Sequence, residues 1–280
     1  MSEAGDWVPP ARNSSTREAL VKTQEARQCR PHITRCRTSR LNKGNASATR
    51  RGVLAYLRNV TTAQPFFTIV MASYLGDYSG RYGTSATDRV AKFHRAIASA
   101  QAQRMPDWEL VIVADGCEIT EREWKRCTDE RVRCLLIPKQ RLWSEKVRNA
   151  GIHAARGRYI VYLDTDDMLA DDHLQVMRTK LIEAGLPSWA CFPDQVWDQA
   201  SGAWLHRVCR PYRRGAIGTS NIAHVGGDAV YWPTIEYRWP ENGYDHDWQF
   251  ARSLVKSLGP PVVLDSGGYQ VCHIPKHYDI

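Results

Sequence analysis

The 280-residue sequence contains no run of 18 apolar residues, which excludes a conventional membrane-spanning helix from it. Its first residues, MSEAGDWVPP, lack the basic start and apolar stretch of a secretory signal. None of the eight cysteines forms a C-x-x-C pair, so a structural zinc site is not expected. A chain this long can bury a core without disulfides, and the thiols are expected to be free in a cytoplasmic setting. Internal repeats are absent as well. What the sequence has is an ordinary globular composition, 43% hydrophobic and 24% charged.

The formal net charge of +8 is unevenly placed. Residues 1–64 hold twelve Lys or Arg against four Asp or Glu, whereas residues 65–280 hold 26 of each. The first segment therefore reads as a basic N-terminal extension, partly disordered or helical, with helices expected near 16–28 and 52–58. It is either a solubilising tail or an electrostatic arm for a polyanion such as nucleic acid or an anionic membrane surface.

From Pro65 onward the pattern alternates. FFTIVMASY (66–74), WELVIVADG (108–116), VRCLLIP (132–138) and RYIVYLD (158–164) read as buried strands. Between and after them, 89–104, 120–127, 145–156 and 170–185 read as helices, with Ser144 a candidate cap and Gly157 and Gly185 candidate stops. Such alternation predicts an α/β fold with a mostly parallel central sheet flanked by helices. The second half is less regular, with strands expected at 188–193, 203–210 and 224–232 and a helix over 245–258.

The most informative segment is YIVYLDTDDMLADDHL (159–174). A short apolar strand runs into Asp164, Thr165, Asp166 and Asp167. Open α/β sheets bind ligands at the carboxyl ends of their strands, and clustered carboxylates there suit a hard divalent cation, Mn²⁺ or Mg²⁺. Such an ion would neutralise a diphosphate leaving group. The plainer alternative is helix capping, a task that Asp171 and Asp172 suit better.

With these segments in order, residues 65–250 resemble a family 2 glycosyltransferase with the GT-A fold. TIVMASY resembles the family's opening strand, ELVIVADG its second strand, and EKVRNAGIHAARGRYIVYLDTDD (145–167) its Arg-Asn helix, A-x-G turn and D-x-D. The resemblance implies a nucleotide-sugar donor, with UDP as the expected carrier. It divides the domain into a nucleotide-sugar-binding half (65–167) and an acceptor-binding half (168–280). It places Ala72, Tyr74 and Asp115 at the nucleobase, although the usual acidic pair is here Ala114-Asp115. It sets Arg148, with Lys146 as a neighbouring alternative, near the donor phosphates, Asp164 on the ribose side, and Asp166 on the metal with Asp167 in support. A late His in such enzymes often reaches the metal, which makes His273 a candidate. His246-Asp247-Trp248 resembles the family's Glu-Asp-Trp, so the base of an inverting transfer is expected to be Asp247, with Asp245 as runner-up.

Two other classes compete. A nucleotidyltransferase would need a Gly-rich basic loop after the first strand, and residues 75–88 contain no Lys. A non-enzymatic nucleic-acid-binding protein would use the basic arm, but the neutral main domain does not favour it. The acceptor itself, whether glycan, small molecule or polyanion, is not written in the sequence.

Overall fold

The computed structural model describes residues 64–76, 88–140, 144–198, 200–227, 230–233, 246–274 and 278–279. The basic extension and its two expected helices lie outside these, as do Asp245 and most of the loop after the first strand.

The apolar run after Pro65 forms β1 (Phe67–Ser73), which sits between β2 (Trp108–Asp115) and β4 (Tyr159–Tyr162), parallel to both. Strand residues alternate between faces, and both faces of β1 are covered. Phe67, Ile69 and Met71 enter one hydrophobic cluster, while Val70 enters another on the opposite side. Strand β3 (Val132–Ile137) extends the parallel set beyond β2. Beyond β4 come β9 (Ile222–Val225), β6 (Trp189–Cys191) and β10 (Val262–Val263). Only β9 runs against its neighbours, so four of the six pairings in this seven-stranded sheet are parallel.

Helices α1 (Arg89–Gln101), α2 (Glu118–Trp124), α3 (Glu145–Ala154), α4 (His173–Glu183) and α5 (His246–Leu258) complete the described core. Asp88 caps α1 through a 3.0 Å bond from the Ala91 amide. Helix α3 lies close to the sheet because Gly151 faces it: a Cβ there would come within 2.4 Å of Val70 Cγ1. A smaller sheet joins β5 (Met168–Leu169), β11 (Tyr269–Val271), β7 (Asp194–Asp198) and β8 (Ala203–Arg207), in that order.

A buried carboxylate knots the lower ends of the parallel strands. Glu109 accepts from Thr68 Oγ1 at 2.7 Å, the Arg156 amide at 2.7 Å and Arg133 Nη2 at 3.0 Å. Burial alone would raise its pKa, but the bonds from Thr68 and Arg156 outweigh that and hold it below the usual range. Gly157 donates its amide to Thr68 Oγ1 at 2.8 Å. A Cβ on Gly157 would lie 2.4 Å from the Thr68 nitrogen, so close approach, not helix termination, requires glycine there.

Several local expectations are corrected. Helix α3 ends at Ala154, three residues before Gly157, and Ser144 makes no side-chain cap bond. Asp172 precedes α4 without capping it, and Asp171 instead holds Arg104 at 2.7 Å. The strand expected over 224–232 is β9, displaced toward the N-terminus and ended at Gly226-Gly227, where Gly227 has φ 135°. Helix α5 and Gly185 as the stop after α4, with φ +78°, are found as expected.

The six described cysteines are free. Among the described residues no helix is long and apolar enough to cross a membrane.

Candidate active site

The acidic segment leaves the carboxyl end of β4, as its apolar strand residues require, and its three carboxylates diverge. Asp167 is buried. Its Oδ2 accepts from the Tyr269 hydroxyl at 2.8 Å and its Oδ1 from the Cys272 amide at 2.8 Å. Burial, and then the charges of Asp166 and Asp164, push its pKa well above the carboxylate range. The Tyr269 hydroxyl also accepts from the Asp164 amide at 3.1 Å. Asp164 and Asp166 remain partly exposed, flanking Thr165. Arg95 Nη2 holds the Asp166 carbonyl at 2.8 Å and so sets the turn.

Arg148 meets Asp164 across this opening. It lies on the first turns of α3, is buried, and donates from Nη2 to Asp164 Oδ1 at 3.2 Å. Its guanidinium stands 4.5 Å from the ring centroid of Trp232, a cation–π geometry. Trp232 is core in turn: it stacks on Phe250 at 4.0 Å and its indole donates to Tyr162 Oη at 3.0 Å. Asn149, next to Arg148, exchanges two hydrogen bonds with the Trp232 backbone, at 2.7 and 3.0 Å. Lys146 is exposed on the same helix, so only Arg148 is built into the opening.

The first turn of α5 faces that of α3. Asp247 accepts from Thr219 Oγ1 at 2.7 Å. Burial raises its pKa, a change opposed by the charge of Arg148 and the Thr219 bond and reinforced by the charge of Asp164. The residue before it, His246, is buried with Nε2 3.3 Å from Glu145 Oε2, and its ring lies 5.1 Å from Trp232. Where the resemblance has a Glu, this chain has His246, with Glu145 of the opposing helix beside it.

The nucleobase candidates also converge, with one addition. Asp115 ends β2, buried, and Lys139 Nζ binds its Oδ2 at 2.6 Å while the Gln140 amide binds Oδ1 at 2.6 Å. The same ammonium stands 3.9 Å over the Tyr74 ring. Ala72 lies on β1, in register with Val113 of β2. Gly116, φ +57°, lets this turn form: a Cβ there would lie 2.6 Å from the Lys139 backbone.

Of the sequence candidates, the structure brings Arg148, Asp164 and Asp247 within electrostatic reach of one another and sets Tyr74 and Asp115 together beside Lys139. Asp167 is turned into the core. His273 lies on β12 (His273–Ile274), whose side chains are outside the described set. Thr219, Trp232, Glu145, Lys139 and Tyr269 carry no motif in the sequence and join the site only through the fold.

Among the described residues no three His, Cys, Asp or Glu side chains form a group that could hold a metal. The donor set still suits a hard cation. Asp164 and Asp166 are partly exposed carboxylates of one turn, and the charge of each adds to burial in raising the pKa of Asp167. Oxygen atoms of a bound phosphate would complete such a shell.

Residues 86–186 match the family described as glycosyl transferase family 2. Over 92 residues the chain is 40% identical to the succinoglycan biosynthesis protein ExoO of Rhizobium meliloti, covering 32% of this chain and 26% of that protein. Over 89 residues it is 36% identical to the putative glycosyltransferase EpsH of Bacillus subtilis, covering 30% and 25%. The match thus spans about a quarter of the length of these curated relatives. In fold, the chain resembles S. aureus TarS 1–349 in complex with UDP-GlcNAc, with TM-score 0.53 and 14% identity, over 73% of this chain and 58% of that one. The segment 86–186 is thus similar to family 2 glycosyltransferases, and the fold is that of GT-A enzymes.

Proposed function

We propose that the chain transfers a sugar from a nucleotide-diphosphate donor, uridine-linked, to an acceptor hydroxyl with inversion. The observation that carries this is Asp247. It is a carboxylate with a raised pKa, oriented by Thr219 and facing Arg148 and Asp164. A base poised to take a proton beside a cation poised to meet phosphate is the pairing that such a displacement needs.

In this reading Tyr74 and Asp115 receive the nucleobase and Arg148 meets the donor diphosphate. Asp164 and Asp166 would hold Mn²⁺ or Mg²⁺, which supplies positive charge against the leaving diphosphate. The acceptor oxygen attacks the anomeric carbon from the side opposite the phosphate. Its proton passes to Asp247, the new carbon–oxygen bond forms, and the old bond's electron pair leaves with the diphosphate. Base catalysis of this kind contributes about 10²- to 10⁴-fold. The uridine donor is supported by the nucleotide sugar that TarS binds on the same fold.

The test is nucleotide release from a panel of nucleotide sugars, with and without Mn²⁺. Release from one donor, dependent on metal and lost in Asp166→Ala, is expected, with transfer lost in Asp247→Asn. No turnover of any donor, together with no nucleotide-induced shift in melting temperature, would end this reading.

A further inference from the structure

Residues 199–227, in the half assigned to the acceptor, contain four Arg and no Asp or Glu. Arg207 forms a two-pronged bond to the fully buried Asp194, at 2.9 and 2.5 Å, and Ser220 Oγ joins the same carboxylate at 2.6 Å. The other three, Arg210, Arg213 and Arg214, expose their side chains on one turn.

That turn is a built structure. The Arg210 amide donates to the Ala216 carbonyl at 2.8 Å, Arg213 to Arg210 at 3.0 Å, and Ala216 to Arg213 at 3.1 Å. Gly215 takes φ +74°, which closes it. Cys209 and Ile217 bracket it and are buried in the same cluster as Trp232 and Phe250. The chain then runs directly into Thr219, the residue that holds Asp247. Arg214 is five residues from Thr219, so their Cα atoms lie within about 18 Å, a reach that an extended oligosaccharide covers.

The turn thus presents three guanidinium groups to solvent. They are well shaped for phosphate or carboxylate oxygens, which they bind with paired donors. We propose that the acceptor is an anionic glycan, bearing phosphate or carboxylate groups, which Arg210, Arg213 and Arg214 hold while its hydroxyl is presented to Asp247. This rests on the reading of Asp247 as the base.

The experiment uses the full chain, its triple variant R210E/R213E/R214E and the corresponding triple Lys variant. Binding is measured calorimetrically for a polygalacturonate hexamer, a glycerol phosphate hexamer, neutral maltohexaose and a 12-nucleotide single-stranded DNA. Donor hydrolysis without acceptor and melting temperature are recorded for each protein. The basic N-terminal segment is present throughout, so differences report the turn alone. At least one anionic hexamer is expected to bind and to lose about tenfold or more in the Glu variant, with most affinity kept in the Lys variant. Donor hydrolysis and melting temperature stay unchanged, and whichever hexamer binds more tightly distinguishes phosphate from carboxylate. Equal affinity in the Glu variant, equal binding of maltohexaose, or a matching loss of DNA binding would each overturn the proposal. Absence of donor hydrolysis in the parent protein would instead sink the reading of Asp247, and the acceptor assignment with it.

Discussion

Thr219 and Asp247, 28 residues apart, are joined by a 2.7 Å hydrogen bond from hydroxyl to carboxylate. The bond favours the ionised carboxylate, while burial opposes it and prevails. A base must be unprotonated to act, so kcat/KM is expected to fall, as pH drops, through a value above that of an ordinary aspartate. Thr219→Val removes a stabilising donor and should move this acid limb to higher pH. A pH–rate profile of the two proteins checks it, and an unmoved limb would detach Asp247 from the chemistry.

Asp115 is bonded at both oxygens, to Lys139 and to the Gln140 amide, and Lys139 caps Tyr74. Asp115→Asn releases the ammonium and changes the pattern offered to a base. The expected result is about tenfold weaker UMP binding, consistent with loss of a charged hydrogen bond, with kcat little changed. Calorimetry with UMP would show it.

Gly151 allows α3 to pack against β1, and α3 carries Arg148 one turn earlier. Gly151→Ala forces a methyl group into Val70 and Val113. Overpacking of this kind costs about 1–3 kcal/mol. Donor turnover should fall together with the melting temperature. Adding Val70→Ala should recover part of both, which a double-mutant cycle measures; full additivity would mean that the two side chains do not conflict.

His224 and His173 are fully buried, and burial lowers their pKa values to about 4 and about 3. Both stay neutral in the folded protein where the unfolded chain, titrating near 6.5, already binds protons. Stability therefore declines as pH falls from about 6.5, by up to about 3 kcal/mol for His224 alone by pH 4. Urea midpoints at pH 7, 6 and 5 test this. The window above pH 5 matters, because carboxylates such as Glu109, held below their usual range, begin to contribute only in stronger acid.

The strands and helices up to α4 were legible because their signals are local. The apolar runs of β1, β2 and β4 are continuous since both sheet faces are covered, and α1 declares itself by spacing. The short strands β7 and β11 carry mixed residues such as Asp194, Gln195 and Gln270, whose partners lie far along the chain. Similar distance hid Thr219 and Trp232: the latter reaches Asn149 across 83 residues. Glu145 stayed hidden for the same reason, since it meets His246 at 3.3 Å across 101 residues. Asp171 and Asp172 misled because acids before a helix serve capping only when their oxygens turn toward its amides, and Asp171 turns to Arg104.

Tyr269 stands 102 residues beyond Asp167, yet its hydroxyl fastens both Asp167 and the Asp164 amide. A nascent polypeptide therefore carries its acidic loop through synthesis of α4, α5 and three strands of the main sheet without the clamp that shapes it. The loop acquires its working form only when β11 has left the ribosome and added itself beside β5. The donor chemistry proposed for this chain would thereby be withheld from partially made protein, and an early stop codon, even one sparing Asp164 to Asp167, would leave that turn without its clamp.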